Sequence, residues 1–162
     1  MIGFHEVSKR YGDKVAVSGL DMTVENGSVC VLIGPSGCGK STTLRMINRL
    51  LEPDEGMIEV DDQYLRDYDP AQLRLKIGYV IQSVGLLPHM RVWQNISLVP
   101  RLLGWDKPRR RERAEELLET VGLTPGEYRD KYPAQLSGGE AQRVGVARAL
   151  AADPPYLLMD EP

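Results

Sequence analysis

The segment Gly34-Pro35-Ser36-Gly37-Cys38-Gly39-Lys40-Ser41 decides the fold of this chain. It matches the phosphate-binding pattern G-x-x-x-x-G-K-S/T at every position. The apolar, β-branched run 29–33 before it predicts a buried strand. Apolar residues at helical spacing in 42–51 predict a helix after it. Because strand, glycine-rich turn and helix in this order are typical of a phosphate loop, the sequence predicts a nucleoside triphosphate site.

The residue types in this segment suit phosphate chemistry. Its glycines let the backbone curl so that N–H groups point at phosphate oxygens, and the helix N-terminus adds positive potential. Lys40 supplies a point charge for the outer phosphates, and the Ser41 hydroxyl can ligate Mg²⁺. The alternative is an ordinary glycine-rich turn. Such a turn rarely carries a Lys-Ser pair between the two flanking elements.

Composition indicates one modest soluble domain with a real core. The chain has 162 residues, of which 42% are apolar and 27% charged. Its formal net charge of −3 gives no field that favours nucleic acid. No apolar run approaches the roughly 20 residues of a membrane span, and the N-terminus has no signal peptide. Cys30 and Cys38 suit a reducing compartment, so we expect a cytosolic protein.

Antiparallel strands are predicted near the N-terminus. Residues 2–7 and 15–24 alternate in polarity, residues 8–14 resemble a loop, and residues 57–60 form a further short strand. Tyr11 lies in the predicted loop. It is either a surface tyrosine or a platform on which a nucleotide base stacks, and its spacing alone favours the first interpretation.

Polar side chains follow two apolar strands. Residues 77–81 lead to Gln82, which either contacts Mg²⁺ or the attacking water or simply ends the strand. The run 156–159 leads to Asp160 and Glu161. Asp160 can hold Mg²⁺ through water, and Glu161 can polarise a nucleophilic water.

The segment between these strands has helical character. Asp69 and the following proline predict the start of a short helix, and a longer helix begins at about Arg109. The basic run 107–113 is interleaved with glutamate, which favours a solvated face over a nucleic-acid site.

A second candidate phosphate site opens the last predicted helix. Ser137 and Glu140 form a capping box, which is a sufficient structural reason for both residues. Gly138 and Gly139 at the helix start also leave N–H groups that suit a phosphate. The second interpretation gains weight because a triphosphate site is already predicted elsewhere in the chain.

Phosphate loop, strand-end glutamine, Leu-Ser-Gly-Gly and an apolar strand closed by Asp-Glu follow one another in this order. This combination, which covers the whole chain, resembles the nucleotide-binding subunit of ABC transporters. The resemblance implies an α/β fold, a P-loop NTPase with a RecA-like core, an antiparallel β subdomain and a helical subdomain. The implied divisions are 1–33 and 57–66 for the β subdomain, 34–56, 67–82 and 141–162 for the core, and 83–140 for the helical subdomain.

The resemblance also implies roles for individual residues. ATP would be bound by Tyr11, at the family's adenine-stacking position, and by Gly34, Pro35, Ser36, Gly37, Cys38, Gly39, Lys40, Ser41 and Thr42. The catalytic residues would be Lys40, Gln82 and Glu161, the last as general base. The Mg²⁺ ligands would be Ser41, Gln82 and Asp160. The ATP of a partner protomer would be covered by the signature residues Leu136, Ser137, Gly138, Gly139 and Glu140.

Finer features resemble importers of glycine betaine, choline, carnitine and proline, which serve in osmoprotection. The stretches concerned are 45–50, 77–82, 85–90 and 99–105. That resemblance implies a head-to-tail dimer on the cytoplasmic side of the membrane, with permease subunits docked near residues 82–89. The full system would also include a solute-binding protein. Alternatives are a nucleotide-binding fragment without turnover, or a soluble ABC ATPase that acts on nucleic acid or ribosomes.

Two departures from the family pattern carry expectations of their own. Glu140 stands where many members have glutamine, and its capping role predicts that the carboxylate turns toward its own helix. The sequence ends at Pro162, before the family's γ-phosphate histidine, and His5 and His89 match neither that position nor its context. We therefore expect a truncated subunit that lacks its C-terminal part, with an unpaired strand edge beside 29–33.

Overall fold

The computed structural model describes residues 1–160, which form two compact units, Met1–Arg74 and Leu75 onward. The strands are β1 Ile2–Tyr11, β2 Lys14–Val24, β3 Glu55–Val60, β4 Gln63–Tyr64, β5 Ile77–Val80 and β6 Tyr156–Met159. The helices are α1 Lys40–Ile47, α2 Pro70–Leu75, α3 Val92–Ile96, α4 Leu98–Leu102, α5 Lys107–Thr120, α6 Pro125–Tyr128 and α7 Gly138–Leu150. Within residues 1–160, no helix combines the length and apolarity that crossing a membrane requires.

An antiparallel sheet in the order β2-β1-β3-β4 organises the first unit. Phe4 lies between Met22 and Ile58 in the ladder, and it is almost completely buried. The predicted antiparallel strands are confirmed, but the predicted loop 8–14 is too long. β1 continues to Tyr11 and pairs with β2 up to the turn at residues 12 and 13, because polar side chains on an exposed ladder show no apolar alternation to reveal it.

The predicted strand at 29–33 is wrong. Val29 and Ile33 are both 91% exposed, and none of the strands formed within residues 1–160 pairs with this run. An apolar run becomes a strand only where a neighbour satisfies its N–H and C=O groups. The pattern that predicted burial therefore finds no such neighbour in the described part of the chain.

α1 begins in the phosphate loop and ends at Ile47, before the predicted end at residue 51. The N–H of Arg49 donates to the Met46 carbonyl at 3.0 Å, and the N–H of Leu50 donates to the Arg45 carbonyl at 2.9 Å. These bonds form a Schellman motif, with Arg49 at φ +47° where glycine is usual. The helix stops there because the turn, which the apolar spacing does not reveal, reverses the chain.

The predicted start of α2 is confirmed. Asp69 Oδ1 accepts hydrogen bonds from the N–H groups of Ala71 at 3.0 Å and Gln72 at 2.9 Å. Pro70 occupies the first helical position, where a missing N–H costs nothing.

The second unit contains the parallel pair β5 and β6 and a helical core. The predicted longer helix is confirmed as α5, and its residues Ala114, Leu117 and Leu118 are buried. α5 begins earlier than predicted, after Asp106, whose side chain accepts a hydrogen bond from the Arg109 N–H at 2.9 Å. α3 and α4 were not predicted, because each has only five residues and shows too little periodicity.

Candidate functional site

The phosphate loop is closed by Lys40. Its ammonium donates to the carbonyl of Gly34 at 2.9 Å and to that of Pro35 at 3.0 Å. The N–H of Cys38 donates to the Pro35 carbonyl at 3.3 Å, which forms a tight turn inside the loop. The positively charged Lys40 thus lies across a short loop that contains no acidic side chain. This charge distribution favours the binding of a phosphate group.

Gly39 shows why the loop needs glycine next to Lys40. Its φ is +98°, and a Cβ built on it would lie 2.3 Å from the carbonyl oxygen of Ala16 in β2. Gly37 has φ +80° but open space around it. The Gly39 carbonyl also accepts from the Thr43 hydroxyl at 3.1 Å. The loop therefore packs directly on the hairpin, and this cradle, with Lys40 beside it, fits a nucleoside triphosphate.

The predicted base platform lies on the same hairpin. Tyr11 is the last residue of β1, it is 47% exposed, and it pairs with Lys14. Lys14 precedes by two residues Ala16, whose carbonyl approaches Gly39. Tyr11 is thus an exposed aromatic ring on the hairpin that the phosphate loop contacts, and its role as a base platform stays a prediction.

The first unit holds Tyr11 and the phosphate-loop residues, including Ser41 and Thr42, and the second unit holds the other described candidates. In the second unit, β5 and β6 end side by side. The N–H of Asp160 donates to the Val80 carbonyl at 2.9 Å, and the side chain of Asp160 is buried.

Gln82 follows β5 by two residues and is exposed. The structure thus brings Gln82 and Asp160 to the same carboxyl edge, as the sequence predicts. Glu161 lies outside the described residues.

A capping box opens α7, as predicted. The Glu140 carboxylate accepts from the Ser137 N–H at 2.7 Å, and the Ser137 hydroxyl accepts from the Glu140 N–H at 3.4 Å. Gly138 and Gly139 follow in the first turn and are exposed. Leu136 is half-buried and packs against the helical core.

Tyr128 is a residue that sequence reasoning missed. Its hydroxyl donates to the second oxygen of Glu140 at 2.6 Å. The hydrogen bonds from Tyr128 and then from Ser137 lower the pKa of Glu140 to about 2. The hydrogen bond to Glu140 raises the pKa of Tyr128 to about 12. Glu140 therefore stays ionised and turned toward its own helix, and no local pattern connects it to Tyr128 across twelve residues.

Metal ligands can be judged from the donor types. Within residues 1–160, no group of three or more His, Cys, Asp or Glu side chains is arranged so that it could hold a metal ion. Mg²⁺ commonly takes only one or two protein oxygens, with water and substrate phosphates completing its shell. Ser41 in the first unit and Gln82 and Asp160 in the second each carry an oxygen donor of the type that Mg²⁺ prefers, and their role as ligands stays a prediction.

Comparison with known proteins identifies the family. The family model described as ABC transporter matches residues 17–162. The chain is 56% identical over its whole length to the glycine betaine/carnitine/choline transport ATP-binding protein of Bacillus subtilis, of which it spans 43%. It is 50% identical over its whole length to the osmoprotectant import ATP-binding protein of Salmonella typhimurium, of which it spans 44%.

A solved structure agrees with this match. A dimeric ATP-binding cassette in a post-hydrolysis state, bound to ADP and Pi, superimposes with a TM-score of 0.88 at 34% identity. The match covers 99% of this chain and 73% of that cassette. The chain thus spans less than half the length of the curated relatives above but most of a solved cassette. By its family match, its P-loop fold and its phosphate-loop geometry, this chain belongs to the ABC transporter family.

Proposed function

We propose that the chain is the ATP-binding part of an importer for an osmoprotectant such as glycine betaine, choline, carnitine or proline. The observation that carries this proposal is that the chain is more similar in sequence to the ATP-binding proteins of osmoprotectant transport than to those of amino-acid transport. Identity is 50–56% to transport proteins named for osmoprotectants, choline or glycine betaine. It is 44–45% to relatives named for glutamate and glutamine transport. The phosphate loop supplies the chemistry, and the relatives' names suggest the solute class.

Binding of ATP would begin at the hairpin and the phosphate loop. Tyr11 stacks on the base, the loop amides surround the phosphates, and Lys40 neutralises the outer charge. Ser41, Gln82 and Asp160 would hold Mg²⁺, which when bound offsets the charge between the phosphate groups.

Turnover requires residues from two copies of the chain. Ser137 and Gly139 of one copy cover the γ-phosphate held by the other, and Glu161 accepts the proton of the attacking water. The solved dimeric cassette with ADP and Pi supports this arrangement by its similarity. The dimer would drive permease subunits from the cytoplasmic side of the membrane, supplied with solute by a binding protein.

Two alternatives make different predictions. A nucleotide-binding fragment without turnover would bind Mg-ATP but release no phosphate. A soluble ATPase acting on nucleic acid would show salt-dependent binding to DNA or RNA, which the net charge of −3 does not favour.

A chimera tests the proposal. Residues 1–162 replace the matching part of the Bacillus subtilis glycine betaine/carnitine/choline relative, in cells that lack their own osmoprotectant importers. We expect uptake of labelled choline, and we expect Lys40→Ala to abolish it together with ATP binding. A second chimera, made in the same way from the glutamine transport relative of Geobacillus stearothermophilus, should not restore glutamine uptake.

The result can fail in two separate ways. If both chimeras accumulate and bind ATP, and the second restores glutamine uptake while the first restores no choline uptake, the solute class is overturned. A purified chain whose phosphate release equals that of its Lys40→Ala variant would overturn the ATPase assignment.

A further inference from the structure

The turn that contains Gln82 is held in an unfavourable backbone conformation. The N–H of Val84 donates to the Ile81 carbonyl at 3.1 Å, so Gln82 is an inner residue of a four-residue turn. Val84 has φ +56°, in the left-handed region. A β-branched residue is rare there, because its side chain crowds its own backbone. Such a conformation persists only where surrounding contacts impose it.

Arg148 in the last turn of α7 supplies the contacts that impose it. Its guanidinium donates to the carbonyl of Val84 at 2.5 Å and to that of Gly85 at 2.7 Å. These bonds connect residues that are more than 60 positions apart in sequence. Two donors of one rigid, charged group on consecutive carbonyls fix both peptide planes.

Gly145, one helical turn before Arg148, completes the contact. A Cβ built on Gly145 would lie 2.9 Å from Cγ1 of Val84. The side chain of Val84 therefore packs against the bare backbone of α7 while Arg148 holds its carbonyl. One face of α7 therefore contacts both the side chain and the carbonyl of Val84.

The other end of α7 is the signature segment. Ser137 caps the helix, which runs 13 residues from Gly138 to Leu150. At about 1.5 Å per residue this is a rigid rod of roughly 20 Å. If the signature segment moves, α7 moves with it as a rigid body, and the hydrogen bonds of Arg148 transmit that movement to the Gln82 turn.

We propose that Arg148 is a positioning residue for Gln82, which locks the strained turn 81–84 to the helix that begins with the signature segment. This inference rests on the proposed function, since it assumes that Gln82 serves ATP turnover. Arg148 itself touches neither nucleotide nor water in this scheme. Its loss would release Val84 from the left-handed region and leave Gln82 in several orientations.

The test uses the protein at its natural length, with four variants. They are Arg148→Met, Arg148→Lys, Val84→Gly and the double variant Arg148→Met/Val84→Gly. We expect Arg148→Met to lower kcat for ATP about tenfold while KM changes less than about twofold, because the competent turn becomes a minor state. Arg148→Lys should retain part of the activity, since an ammonium holds a carbonyl but has no rigid fork.

The double variant separates positioning from general stability. Glycine adopts positive φ freely, so Val84→Gly should restore a part of the kcat that Arg148→Met loses. A generally destabilised protein would only become worse. If Arg148→Met does not accumulate, Arg148→Lys decides the matter, and a kcat equal to that of the unaltered protein overturns the proposal.

Hydrogen exchange provides a readout that does not depend on turnover. The amides of residues 83–86 should exchange faster in Arg148→Met, and they should be unchanged in Arg143→Met, which removes an exposed charge from the same helix. Equal exchange in both variants would overturn the lock. A protein that hydrolyses no ATP, yet shows this exchange difference, would refute the proposed function and leave the lock intact.

Discussion

Replacing Gly39 by alanine should cripple the phosphate loop, for two separable reasons. The first is conformational, because φ at this residue is +98° and an alanine there costs about 1–2 kcal/mol. The second is steric, because the new Cβ would lie 2.3 Å from the Ala16 carbonyl oxygen. That atom is a backbone oxygen between Val15 and Val17, which pair with β1, so it cannot rotate away as the end of a side chain can.

The expected magnitude follows from these two costs. Forcing an extra methyl group into a packed site typically costs about 1–3 kcal/mol. Together with the conformational cost this amounts to about 2–5 kcal/mol, which weakens ATP binding by roughly 30-fold to several thousandfold. The loss would appear as a higher Kd, since the loop would leave its binding conformation to relieve the contact.

Gly37 offers the matched control. It also has positive φ, at +80°, but no atom lies within 4 Å of its added Cβ. Gly37→Ala should therefore bear only the conformational cost and weaken ATP binding by about 5- to 30-fold. Titration calorimetry with Mg-ATP on both variants, with Tm as a folding check, compares them directly. Equal Kd values for the two variants would refute the steric argument.

Two further predictions concern the second unit. Hydrogen bonds from Tyr128 and Ser137 lower the pKa of Glu140 from the ordinary 4.5 to about 2. Because the folded state binds this proton more weakly than the unfolded state does, ionised Glu140 stabilises the fold above pH 4.5. That contribution is lost as pH falls from 4.5 toward 2, so Glu140→Gln should flatten the acid limb of a Tm-against-pH curve; an unchanged limb would contradict the assignment. Leu118 is fully buried in the helical core, so Leu118→Ala should lower the free energy of unfolding by about 2–5 kcal/mol, as measured by urea denaturation. A loss below about 1 kcal/mol would contradict this expectation and would mean that the neighbouring side chains close the cavity.

Local chemistry explains what could be predicted from the sequence. The capping box of Ser137 and Glu140 and the cap of Asp69 each involve residues within four positions of one another. The apolar stripe of α5 is likewise a property of one segment. A pattern within one segment can indicate such features because their partners lie in that same segment.

Features that depend on distant partners could not be predicted. The sequence predicts the capping role of Glu140, but it does not reveal that the Tyr128 hydroxyl donates to the other oxygen of that carboxylate. Arg148 is still more distant in sequence from Val84 and Gly85, whose carbonyls accept hydrogen bonds from its guanidinium. The strand predicted at 29–33 failed for the same reason, since its apolar pattern says nothing about which neighbour completes its ladder.

The failure at 29–33 bears on how the phosphate loop keeps its shape. Among the described residues, this run enters the loop with Val29 and Ile33 exposed. The described constraints come from the other side: Gly39 packs on β2, its carbonyl accepts from Thr43, and Lys40 closes the loop across its first two carbonyls. Within residues 1–160, the geometry that would receive the phosphates is therefore held by α1 and the hairpin, and Gly39 is the residue at which the two meet.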